Sequence, residues 1–67
     1  MSAFNVHGWL CSILEKQIAK LRLAMENVVY HLENNDWKNA SESHRNVDYW
    51  MSRCKNTQRL IDELEEV

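Results

Sequence analysis

Only one place in this chain can turn. Its 67 residues include a single glycine, Gly8, and no proline, and tight turns draw on Gly, Pro, Asn and Asp. The one run of adjacent Asn and Asp residues is Asn34-Asn35-Asp36. Asn tolerates the left-handed backbone that ends helices, and Asp caps the start of the next one. The expectation is therefore one reversal at residues 34–36 between two long elements, at about 5–33 and 37–66. A β-rich domain of this length needs several turns that the composition does not provide.

The spacing of apolar residues makes both elements helices. From Cys11 through Leu14, Ile18, Leu21, Met25 and Val28 to Leu32, the steps alternate three and four without a slip. That rhythm is a seam for helix-on-helix packing at a shallow angle. Adjacent pairs such as Ile13-Leu14 and Val28-Val29 break any strand alternation. Gly8 disfavours helix by about 1 kcal/mol, so the first helix is expected to start after it or to fray there. The second half repeats the rhythm at Ala40, Ser43, Val47, Trp50, Cys54, Thr57, Ile61 and Leu64. A neighbouring stripe of Trp37, His44, Met51 and Gln58 is expected to widen its buried face. Ser43 and Thr57 must find hydrogen bonds there or reach water.

The fold class predicted is all-α: an antiparallel two-helix hairpin in one domain, residues 1–67. Each helix is about 30 residues, or roughly 45 Å, long. A three-residue turn sets paired positions to sum to about 72. Cys11 then faces Ile61 while Cys54 faces Ile18, so the thiols stand apart and are expected to be free. Asp62, Glu63, Glu65 and Glu66 come to lie beside the electropositive start of helix one. Arg22–Glu26, Glu42–Arg45 and Arg59–Glu63 have the spacing of helical ion pairs.

A lone hairpin of this size is a marginal fold, since chains near 60 residues bury only about 60% of their unfolded surface. Apolar residues also remain outside the seams. Trp9, Leu23 and Tyr30 share one line along helix one, with Ile13 on its flank and Trp37 near the turn. These five are the expected dimer or partner interface, with Trp50 as a further anchor. The predicted assembly is a homodimer forming a four-helix bundle, two-fold symmetry being the commonest closed arrangement.

The alternative chemistry is thinner. Lys16, Lys20, Arg22, Arg53, Lys55 and Arg59 fall in one axial zone, a candidate contact for a phosphate backbone. Against nucleic acid stand a net charge of −2, a pI near 5.8 and the lack of a helix-turn-helix spacing. His7 and Cys11, four apart, are two possible metal ligands where a structural zinc needs four; no metal or cofactor is expected. His31 and His44 flank the turn and are expected near one another. No phosphate loop, nucleophile elbow or metalloprotease motif is present, so the chain is not expected to be an enzyme. The sequon Asn39-Ala40-Ser41 carries no weight in a cytosolic protein. The first residues, Met1 to Asn5, lack a charged leader, and no apolar run suits a membrane. A cytoplasmic location with reduced thiols is expected.

In its short length, single helical hairpin and content of Cys and Trp, the whole chain resembles the small all-helical accessory proteins of temperate bacteriophages and other mobile elements. That resemblance implies a non-enzymatic regulator in a bacterial cytoplasm that binds a host or phage protein. The hairpin also resembles the small sporulation-type aspartyl-phosphate phosphatases. Their Ser-x-Glu-Leu-Asp signature is absent, and Ile61-Asp62-Glu63-Leu64 does not replace it, so no phosphatase activity follows. A structural assembly subunit is the remaining alternative.

The seam generates a direct test. Leu21→Asp places a charge on it and is expected to cost about 3 kcal/mol or more. Far-UV circular dichroism should show loss of most of the helix.

Overall fold

A computed structural model describes residues 5–66; residues 1–4, where a leader was sought, and Val67 lie outside the described residues. Helix α1 spans Val6–Glu33 and helix α2 spans Trp37–Glu65, and no strand occurs among the described residues. The chain is an antiparallel hairpin with Cα extents of 55 × 21 × 12 Å. Helix α1 begins close to the expected residue 5, so Gly8 lies inside its first turn. Asn5 is the N-cap, and its Oδ1 accepts the Gly8 N–H at 2.9 Å. A cap bond of this kind is worth about 1 kcal/mol, enough to offset the helix penalty of a glycine held in the first turn.

The turn uses every residue it has. The Asn35 N–H donates to Leu32 O at 3.0 Å and the Asp36 N–H to His31 O at 2.8 Å. Asn35 stands at φ 57°. This is the Schellman ending, in which a left-handed residue satisfies the last carbonyls of a helix. The Asn34 amide adds a bond from Nδ2 to Tyr30 O at 2.8 Å. Asp36 then caps α2: its carboxylate accepts from the Asn39 N–H at 3.2 Å and from Asn39 Nδ2 at 2.6 Å. An apolar contact commonly closes a Schellman turn. Here the same two positions bring His31 Nδ1 to 3.8 Å from Asp36 Oδ2.

Residues seven apart fall nearly on one line of a helix, so the packing reads as rows. In α2 the expected seam is observed in most of its length. Ala40, Thr57 and Ile61 are buried, and Ser43, Val47, Trp50 and Cys54 are half-buried; only Leu64 opens to solvent. In α1 half of the expected seam is replaced. Leu14, Leu21 and Val28 are half-buried as expected. Leu10, Gln17 and Ala24 are buried beside them and His31 is half-buried, while of the expected residues Cys11 is half-buried and Ile18, Met25 and Leu32 are exposed. Ile18 is 41% and Met25 50% exposed. The stripe Trp37, His44, Met51 and Gln58 also stays exposed, so it does not widen the buried face of α2.

The reason lies in Gln17. Its Oε1 accepts the Thr57 hydroxyl at 2.7 Å, and both side chains are buried. Thr57 thus finds the bond that its seam position requires, and it draws the Gln17 row inward with it. The pair sums to 74 and the terminal contact of His7 with Glu65 to 72, which fixes the register close to expectation. Ala24 comes level with Trp50 in that register, a small residue opposite a large one. None of the three helical ion pairs expected, Arg22–Glu26, Glu42–Arg45 and Arg59–Glu63, closes to 4.0 Å among the described residues.

Two tests follow from these contacts. Thr57→Val leaves the buried Gln17 amide without its partner and should cost about 1–3 kcal/mol, whereas Gln17→Leu with Thr57→Val should recover most of the loss. Denaturant melts of the two variants and the wild type decide this. The second test concerns acid. The two bonds from Asn39, side chain first and then backbone, and the nearby His31 hold the Asp36 carboxyl below its ordinary 3.8 against a smaller effect of burial. A lowered carboxyl stabilises the fold above its unfolded value, and that contribution is lost as pH falls through the folded value. Asp36→Asn keeps a capping acceptor but removes the titration. Between about pH 5 and 2, its helix signal should fall less steeply than that of the wild type.

Candidate functional site

The described residues bury little. Leu10 and Ile61 are the only large apolar side chains in the buried set, which Gln17, Ala24, Ala40 and Thr57 complete. The radius of gyration is 15.7 Å, against about 11 Å for a compact domain of this length. What the hairpin cannot enclose it displays on two broad faces.

One face carries the row Cys11, Ile18, Met25 and Leu32 of α1 beside the row Trp37, His44, Met51 and Gln58 of α2. Val29 adds to it, and an open groove runs along α1 between Arg22, Met25, Glu26, Val29, Tyr30 and Glu33. The opposite face is apolar only at its terminal end. There Val6, Trp9, Leu10, Leu60 and Leu64 line a groove rimmed by Glu63. It continues past Ile13 to Arg53 and Asn56. Beyond that the face turns polar, with Lys20, Asn27, Asn39 and Asn46.

The five interface residues expected from sequence do not form one patch. Trp9, Leu23 and Tyr30 are exposed, Tyr30 at 63%, along the outer edge of α1 next to the polar face. Ile13 is half-buried in the terminal groove. Trp37 is 65% exposed, in a row belonging to the other face. Trp50 is half-buried in the hairpin seam, edge-on to Tyr49 with ring centres 5.0 Å apart. The sequence reading missed Met25, Ile18 and Leu32 as surface residues because it had placed them in the core.

All six basic residues of the central zone are exposed. Helical phase spreads them around the rod. Lys16, Lys20 and Arg53 lie toward the polar face, Arg22 and Lys55 toward the apolar one, and Arg59 on the outer edge of α2. The Arg53 guanidinium lies 5.7 Å from the Tyr49 ring centre, a cation–π contact. A belt of this kind does not present the one-sided stripe that tracks a phosphate backbone.

At the terminal end, His7 Nδ1 lies 3.8 Å from Cys11 Sγ and His7 Nε2 3.1 Å from Glu65 Oε1. The i, i+4 spacing foretold the first contact, and the hairpin register placed Glu65 opposite His7. Thiol, imidazole and carboxylate stand in the order of a nucleophile, a base and its orienter, but none of the grooves described above encloses them. Among the described residues no group of three or more His, Cys, Asp and Glu is arranged to hold a metal ion. Cys11 and Cys54 are free thiols. His31 and His44 lie near different carboxylates, Asp36 at 3.8 Å and Asp48 at 3.6 Å. No described helix is long and apolar enough to cross a membrane.

Compared with known proteins, the chain matches no family model, no curated protein and no solved structure.

Proposed function

We propose that this chain is a non-enzymatic accessory protein that acts by protein–protein contact, as a homodimer whose four helices form one bundle. The observation that carries this reading is the imbalance between core and surface. Among the described residues two large apolar side chains are buried, while thirteen, from Val6 to Leu64, remain exposed. Exposed apolar residues are ordinary singly, but contiguous patches mark interaction sites. Two of the rows on one broad face supply such a patch. The resemblance to small phage-encoded regulators adds the expectation of a bacterial or phage protein as the eventual partner, met by the surfaces that the dimer leaves open.

The experiment is sizing by multi-angle light scattering across a wide range of concentration. A mass of twice the 8.0 kDa chain, constant over that range, is the expected result. A monomer at high micromolar concentration would overturn the reading. Mass that keeps growing with concentration would replace the closed dimer with an open assembly subunit.

A further inference from the structure

We propose that the second copy seats on the face formed by Ile18, Met25, Val29, Leu32 and Met51, antiparallel and with α1 against α1, and that the opposite, aromatic-edged face stays outside the dimer. This rests on the homodimer reading above and assigns the surface that the dimer uses.

The first argument is area. The chain exposes 5478 Å², whereas a compact monomer of its mass exposes about 4,450 Å². The excess of about 1,000 Å² exceeds the roughly 800 Å² per partner of a stable interface. A broad face of 55 by 21 Å has room for it.

The second argument is phase. A bundle helix touches two neighbours, so its apolar arc must span two contacts. In α1 the rows of Leu10 and Leu14 turn to α2, and the next row round is Cys11, Ile18, Met25 and Leu32. Three adjacent rows thus make one continuous arc, and α2 covers two of them. On the other side of the α2 contact the next row is Val6, Ile13, Lys20 and Asn27, which is half polar.

The third argument is charge, and it selects a second copy of this chain as occupant. On the polar face, Lys20 and Arg53 lie level with each other at the middle of the hairpin. A two-fold axis there would bring four cations together, and like-charge juxtaposition of this kind opposes association. On the apolar face, Glu15 and Arg22 flank the midpoint of α1, which falls between Ala19 and Lys20. An antiparallel two-fold at that midpoint sets Glu15 of each copy within a turn of Arg22 of the other. The surface is its own electrostatic complement, as an isologous contact requires. Lys55, level with Ile18, sits one row further out, where its long stem can carry the charge to water.

The assignment is tested by comparing Ile18→Asp with Leu23→Asp by light scattering, with circular dichroism to confirm helix. Both residues are exposed in the single hairpin, so both variants should fold. Ile18→Asp should weaken the dimer by at least about 100-fold and run as a monomer; Leu23→Asp should remain a dimer. The reverse pattern would overturn the assigned face while leaving the homodimer intact, and a monomeric wild type would instead overturn the homodimer itself. Should Ile18→Asp fail to fold, a short thiol cross-linker applied to Ile18→Cys in a Cys11→Ser, Cys54→Ser background decides the question. Rapid capture of a covalent dimer there, with little from Leu23→Cys in the same background, supports the proposal; the opposite ranking overturns it. Glu15→Arg and Arg22→Glu should each weaken the dimer about tenfold, and together restore it. A double variant as weak as either single one would overturn the antiparallel pairing of α1 with α1.

Discussion

The hairpin depends on one residue that belongs to two helices at once. Asp36 closes the Schellman ending of α1 through its N–H and opens α2 through its carboxylate. Helix ends leave carbonyls and N–H groups that need partners. A connection this short has no spare residue to supply them separately. With Asn35 left-handed and Asp36 shared, the polypeptide reverses within three residues and both helices keep nearly their full length. The antiparallel order of the molecule and its slender outline are set by that economy.

The outline has a cost in packing. Two helices side by side enclose one line of contact, and this one holds alanines, a threonine and a glutamine as well as Leu10 and Ile61. Such a seam fixes how the helices lie without burying much apolar area. Apolar burial is the main driving force for folding, and this seam supplies the single hairpin with little of it.

Much of the fold was legible in the sequence. The turn was readable because Asn-Asn-Asp has few other uses in a chain with one glycine and no proline. The limits of both helices and nearly all of the α2 seam followed from the three–four rhythm. What misled was α1, where apolarity favours the row Cys11, Ile18, Met25 and Leu32 over Leu10, Gln17, Ala24 and His31. Hydrophobicity ranks rows, but the partner helix chooses between them, and α2 offers a hydroxyl at Thr57 and a bulky ring at Trp50. A glutamine and an alanine suit those neighbours better than an isoleucine and a methionine. The same shift decides where the expected interface residues stand on the surface. Once the core shifts by one row, the line of Trp9, Leu23 and Tyr30 moves from the back of the helix toward the edge of the polar face.

The Gln17–Thr57 bond also bears on how this hairpin can change over time. Leu14, Leu21 and Val28 can drift among aliphatic residues with modest consequence, since volume-conserving exchanges are tolerated in cores. Gln17 and Thr57 have no such independence, because each alone is a stranded polar group. Descendants of this molecule should carry two hydrogen-bonding residues at these positions or two hydrocarbon ones, and mixed pairs should be short-lived intermediates between the two solutions.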